Sequence, residues 1–307
     1  MGFEDKFLSG LDRRRAEDKR KQNTERIEHI SSSISRLIPA EYKEAKRHIQ
    51  NTAIDIDSFR DLYGEEVVED DTTEVQRLRE IFAQNEKTVL PNGVTFEQIR
   101  QLSEISESFL LKGLNEAKWV PYCGGIKTSE YDDYVNGIDL VLEFQKADHP
   151  ASHIGLGVDV TFSNNLARKI AKVKQEISAG RLASVKYFDS PNSHIRGQLR
   201  QVPRGIVGFD LEALYRISNY HKAHGEMPAN DPLRSVAFHQ LSMQMRKFAD
   251  YAEKINSPSL STLQRTSKFV DLLTTYVKDQ NPYFTKFVQE SEQVHNLVKT
   301  IEEFDKL

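Results

Sequence analysis

Cysteine, long apolar runs and an excess of positive charge are what this chain is short of. Its one cysteine, Cys123, excludes an intrachain disulfide and any zinc site built from several thiolates of this chain. It is also the usage expected of a reducing, cytoplasmic setting. The longest apolar runs are short, such as Phe109 to Leu111, far from the roughly 20 residues that cross a bilayer, so no membrane span is expected. The opening MGFEDKFLSGLDRRRAEDKRKQ has no apolar signal-peptide segment, and Lys6 stands where an N-myristoylation motif has Ser or Thr. The formal net charge of −4 removes the global attraction that draws strongly basic proteins to nucleic acid, so any such affinity has to come from local patches. Hydrophobic residues at 38% and charged ones at 29% fit a globular chain with long polar helix faces and exclude wholesale disorder.

Periodicity divides the 307 residues into three regions. Between residues 3 and 60, Phe3, Phe7 and Leu11, then Ile27, Ile30, Ile34, Leu37 and Ile38, recur at helical spacings and predict two helices, with Pro39 ending or bending the second. Arg13-Arg14-Arg15 and Lys19-Arg20-Lys21 make a basic cluster that Glu17, Asp18 and Glu25 dilute to a solvated helix face. The acidic GEEVVEDDTTE at 64–74 shows no helical period and predicts an exposed linker. Helical signals resume over Val75 to Gln84, stop at a Pro91-Asn92-Gly93 turn, and restart at Thr95, the N-cap of a long helix, FEQIRQLSEISESFLLKGLNEAKW.

From Val120 to Asp210 the texture changes to short strands. Gly124-Gly125 reads as a turn, and the runs GIDLVLEF (137–144) and IGLGVDVTF (154–162) predict a hairpin around a Lys146 to Ser152 loop containing Pro150. A helix over Asn165 to Gly180 follows, with Leu166, Ile170, Val173 and Ile177 on one face, then strands at Ser184 to Phe188 and Gly205 to Phe209. Beyond Asp210 helices are expected at LEALYRISNYHKAH, Pro232 to Ile255, Ser259 to Lys278 and Pro282 to Leu307. The fold class is therefore α/β: a helical region over 1–90, an α-β-β-β-α-β core with one added strand over 91–225, and a helical region over 226–307.

Two carboxylates sit where a half-buried sheet has no need of them. Asp139 is second in IDLVLEF, and Asp159 lies among Val158, Val160 and Phe162; burying either is costly unless it is paired, hydrogen-bonded or metal-bound. Strand alternation puts Asp159 with Thr161 on one face, and Asp139 with Val141 and Glu143, so a hairpin brings the aspartates towards one point. Converging hard oxygen donors suit Mg²⁺ or Mn²⁺, with Glu143 as an assisting ligand. The competing reading is of two aspartates that cap turns or face water at strand edges.

SEYDDYVNGIDLVLEF, a variable loop, GLGVDVTFS and the lysine-rich ARKIAKVKQEI together resemble the PD-(D/E)XK nuclease superfamily over about residues 96–210. The resemblance implies a restriction-endonuclease-like core in which Asp139 and Asp159 hold the divalent ion and a lysine positions or activates the water that attacks a phosphodiester of DNA or RNA. Glu130 and Asp133 resemble the extra acidic positions ahead of the first acid, and Glu107 the helix-borne glutamate of that fold; each also reads as a surface carboxylate. Thr161 departs from the motif, since it stands in the lysine's place and carries no charge to stabilise the nucleophile or the developing phosphorane. Relocation to the following helix leaves Lys169, Lys172 and Lys174: Lys169 is nearest the strand of Asp159, while Lys172 better matches the spacing of a migrated lysine. The expected function is a metal-dependent nuclease with Asp139, Asp159, Asp133 and Lys169 or Lys172 in its catalytic set. Two alternatives stand beside it: an inactive nuclease-fold protein that binds nucleic acid or a protein partner, and a helical assembly protein whose terminal stripes pack between copies.

Other motifs carry less. His221 and His224 have a two-ligand spacing but no third ligand, and read as helix-end histidines. The glycines of IGLGVD lie inside a strand and open no helix, unlike a phosphate loop. Ser163 has no evident His and Asp partners for a serine hydrolase.

Overall fold

Alternating apolar residues at 140–144 and 156–160 build a small mixed sheet, and helices on both sides of it in the chain complete a mixed α/β protein. The structure, a computed structural model, describes residues 32–90, 94–146, 149–162, 166–190 and 193–304, with the backbone alone for 145, 146 and 149–154. Before the sheet come α1 (32–52), a helical turn at Ile56–Phe59 leading into α2 (Arg60–Tyr63), α3 (Glu65–Asn85) and α4 (Phe96–Asn115). The centre comprises β1 (Cys123–Lys127), β2 (Leu140–Lys146), β3 (His149–Thr161), α5 (Leu166–Ser178), β4 (Ala183–Asp189), β5 (Arg196–Val202) and β6 (Arg204–Gly208). After it come α6 (Leu211–His224), α7 (Pro232–Lys254), α8 (Leu260–Gln280), α9 (Phe284–Glu290) and α10 (Glu292–Glu302).

The sheet order is β1-β2-β3-β6, antiparallel except that β6 lies parallel to β3; β4 and β5 form a separate antiparallel pair. So β1, β3 and β6 run the same way and end at one edge, where β2 begins. One sheet face presents Leu140, Leu142, Phe144, Leu156, Val158 and Val160 to a core that runs in sequence from Ile34 to Phe304. The other presents Val141 to a smaller cluster with Ile138, Ala183, Val185 and Phe188, under the β4–β5 hairpin.

The free edge of β6 is closed by side chains. Gln240 exchanges hydrogen bonds with the N–H and C=O of Gly208 at 2.8 and 2.9 Å, and Gln244 does the same for Ile206 at 2.9 and 2.7 Å. Four helical residues rise about 6 Å and two strand residues about 6.6 Å, so an i, i+4 pair on α7 matches an i, i+2 pair on the strand.

Several sequence expectations need correction. Residues 64–74 are no linker, because Glu65 opens α3. Val68 and Val75 are buried on its inner side, and the position between them belongs to Asp71, which accepts hydrogen bonds from Tyr187 and Lys186. The helical period was there, but a charged residue carried one of its beats. α1 runs on past Pro39, so the proline does not end it. Gly124-Gly125 lies inside β1 and not in a turn, and β5 was not foreseen. The hairpin strands extend to pair Lys146 with His149, leaving less loop than Pro150 implied, and the last helix divides at Ser291 into α9 and α10. Thr95 does cap α4, through a reciprocal box with Gln98 at 3.1 and 2.9 Å. The helix expected before residue 31, the basic cluster at 13–21, the turn at 91–93 and Ser163 lie outside the described residues.

Candidate active site at the carboxyl edge of the sheet

Open α/β sheets bind ligands outside the carboxyl ends of their strands, and here that edge gathers charge. The β2–β3 ladder ends on the pair Leu140 and Val158. Asp139 immediately precedes that pair and Asp159 immediately follows it, so the two aspartates share one end of the ladder. Asp139 is 7% and Asp159 8% exposed, which excludes the reading of them as water-facing strand-edge residues. The Asp139 N–H donates to Val158 O at 2.9 Å, and its Oδ2 accepts the Val160 N–H at 2.6 Å. Asp159 Oδ1 accepts from Lys169 Nζ at 2.5 Å. Each carboxylate thus keeps its second oxygen outside these bonds.

A third group of charges stands behind Asp139. Lys127, the last residue of β1, places Nζ 3.0 Å from Glu107 Oε2 on α4 and 2.7 Å from Asp133 Oδ2. Asp133 belongs to one π-helical turn, Asp132–Asn136, that leads into β2. Burial, then the charges of Asp133, Glu107 and Asp159, hold the Asp139 carboxyl well above the usual carboxylate range, against the pull of Lys127. Burial also pushes Glu107 up to about 7, with Lys127 pulling the other way. Burial disfavours the Lys127 ammonium, but Asp133, Glu107 and Asp139 outweigh it and hold its pKa above the ordinary lysine value.

The turn before Asp139 is braced from two sides. Asp132 is buried and accepts from Ser129 Oγ, Asn136 Nδ2 and the N–H groups of Lys186 and Tyr187, at 2.6 to 2.9 Å. Arg204 donates to Gly137 O at 2.9 Å and Asn136 O at 2.7 Å, and pairs with Glu176 at 3.1 Å. Gly137 has φ 68°, the left-handed region that favours glycine, and a Cβ there would meet Arg204 Nη1 at 3.1 Å.

The sequence candidates therefore separate. Asp139, Asp159, Lys169, Asp133 and Glu107 belong to this edge. Lys172 donates to Asn136 O at 3.2 Å, alongside Arg204, and so helps brace the turn. Lys174 donates to Phe304 O at 2.9 Å and lies over the Tyr251 and Phe304 rings, fastening the C-terminal segment. Glu143 stands four residues further along β2, about 13 Å by strand rise, with Ser190 Oγ donating to both its oxygens at 2.7 and 2.8 Å; the structure does not bring it to the aspartates. Glu130 pairs on the surface with Arg79. Sequence reasoning missed Lys127, Asp132 and Arg204. Lys127 was legible only as the third member of the alternation Cys123, Gly125, Lys127, which the turn assigned to the glycines concealed.

Among the described residues, no three of His, Cys, Asp and Glu are gathered closely enough to hold a metal ion, and no helix is long and apolar enough to cross a membrane. The donor chemistry at the edge nonetheless fits a divalent cation. Four carboxylates, of Glu107, Asp133, Asp139 and Asp159, face the two ammonium groups of Lys127 and Lys169, so hard oxygen donors outnumber the cations that pair with them. Compared with known proteins, the chain matches no family model, no curated protein and no solved structure.

Proposed function

We propose that this edge hydrolyses phosphodiester bonds of DNA or RNA with the help of Mg²⁺ or Mn²⁺. The observation that carries the reading is the Lys169–Asp159 contact of 2.5 Å beside Asp139: a helix lysine reaches the acids although Thr161 occupies the motif position. The element order supports a restriction-endonuclease-like core, since α4, β1, β2, β3, α5 and β6 follow α-β-β-β-α-β with the β4–β5 hairpin inserted before β6.

Asp139 and Asp159 would hold the ion through hard oxygens. Bound there, a divalent cation supplies Lewis-acid polarisation of a phosphoryl oxygen and makes a coordinated water more acidic. Lys169, 30% exposed in its side chain, is open to a substrate and offers the fixed positive charge that steadies an attacking water and the charge growing on the phosphoryl oxygens. Water forms the new P–O bond and gives up a proton to solvent, the bond to the leaving oxygen breaks, and that oxygen takes up a proton from solvent. Arg168 and Lys172, exposed four residues apart on α5, provide a local basic track for the phosphate backbone in a protein whose net charge provides none.

A second reading is favoured by one observation: Val160 N–H and Lys169 already engage one oxygen of each aspartate, as in a nuclease-fold protein that has become a binding module. Cleavage assays on single- and double-stranded DNA and RNA, with Mg²⁺, Mn²⁺ or EDTA, separate the two. Cleavage is expected with metal and lost in EDTA and in Asp159→Ala. Cleavage that persists in either excludes the proposed site, and no cleavage together with no calorimetric metal binding supports the binding module.

A further inference from the structure

Lys127 contradicts the pattern that shapes the rest of β1. Cys123, Gly125 and Lys127 face the same side as their partners Phe144, Leu142 and Leu140, which belong to the main core, and Leu111 and Leu114 of α4 close over Gly125. The third place in that series suits an apolar side chain, yet it holds an ammonium only 3% exposed. Taking such a charge out of water is costly, and replacing a buried ion pair with well-packed apolar residues is often neutral or stabilising. Fold stability therefore does not account for a lysine here.

What it touches does. One ammonium joins α4, through Glu107, to the π-helical turn, through Asp133, and both carboxylates lie close enough for their charge to act on Asp139. The same turn is held on its other side by the hydrogen bonds to Asp132 and by Arg204. Asp139 thus enters β2 from a turn clamped at both ends, and the Lys127 clamp is the one that faces the acids.

We propose that Lys127 is a positioning residue of the phosphodiesterase site: its ammonium holds Glu107 and Asp133 against Asp139 and so fixes the carboxylate that receives the divalent ion. The inference rests on the nuclease reading above.

Lys127→Met keeps the stem and removes the charge. With folding checked by circular dichroism, calorimetric Mn²⁺ affinity is expected to fall about 10- to 100-fold. Single-turnover cleavage falls by a similar factor while substrate KM stays within about threefold, and Lys127→Arg recovers part of both losses. A folded Lys127→Met with wild-type Mn²⁺ affinity and turnover overturns the proposal. Should that variant not fold, Asp133→Asn cuts the arm of the clamp whose side chain is 33% exposed. Mn²⁺ binding about 10-fold weaker is then expected, and unchanged binding overturns the proposal. A wild-type protein that neither binds Mn²⁺ nor cleaves removes the nuclease reading and Lys127's role together; active wild type with equally active variants removes the role alone.

Discussion

The three lysines of α5 differ in what their ammonium groups touch, and that difference makes their substitutions separable. Lys169 meets Asp159, Lys172 meets Asn136 O, and Lys174 meets Phe304 O. Removing a preorganised cation from a developing oxyanion costs about 100- to 1000-fold in rate, so Lys169→Met is expected to lower single-turnover cleavage by that factor. Lys174→Met is expected to lower Tm while leaving cleavage nearly intact. Equal losses of cleavage in both variants would detach Lys169 from the chemistry. From the sequence, these lysines were distinguishable only by nearness to the strand of Asp159 and by spacing along the helix. Spacing gives a place on the helix, whereas the neighbour met there belongs to another element.

Elements here are fitted to one another by single residues. Gly113 on α4 is one such point, because a Cβ there would lie 2.4 Å from the ring of the fully buried Trp119. Gly113→Ala is expected to cost about 1–3 kcal/mol through overpacking. Urea denaturation measures it, and Trp119, the chain's one tryptophan, reports the displaced ring in its emission. The cap of α7 supplies a pH test. Asp231 Oδ1 accepts from the Leu233 N–H at 2.8 Å, and burial pushes its carboxyl up to about 6 from 3.8, against Leu233, Arg216 and Arg234. A carboxyl that binds its proton more tightly when folded adds stability at low pH, and that contribution is lost as pH rises from about 4 to 6. The loss is on the order of 2–3 kcal/mol. Asp231→Asn keeps an acceptor for the cap, so its Tm is expected to exceed wild type at pH 7 and to match it near pH 4. A difference independent of pH would refute the assignment.

At the scale of the whole molecule, the terminal helices and the sheet share one core. Val294, Leu297 and Phe304 are buried in the same cluster as Val158 and Ile206, and Ser291 Oγ and the Gln293 N–H bond the two oxygens of Asp210 at 2.6 and 3.0 Å. Burying each of those apolar side chains is worth about 1.5–3 kcal/mol, a large part of the roughly 5–15 kcal/mol that holds a domain folded. Deletion of residues 291–307 is therefore expected to abolish cooperative thermal unfolding in calorimetry, and a truncated chain with a wild-type transition would show the segment to be dispensable. The strands β2, β3, β4 and β6 and the helices beyond Asp210 were readable as regions in the sequence, but not this sharing of one core, because contacts between distant segments leave no local period.

Local rules sufficed where the physics is local. Apolar alternation set the β2–β3 hairpin, Thr95 and Gln98 set the start of α4, and the cost of burying a carboxylate marked Asp139 and Asp159. Each depends on residues within a few positions or on one side chain's solvation. Tertiary structure decided the rest. It made a helix of the acidic 65–74 stretch by pairing Asp71 with Lys186 and Tyr187, and it chose Lys169 over Lys172 as the lysine that meets an aspartate. It also buried Lys127 between Glu107 and Asp133. In each case a charged side chain is settled by a partner far away in the chain, and the energy of that pairing depends on distance in space, which residue spacing along one element does not encode.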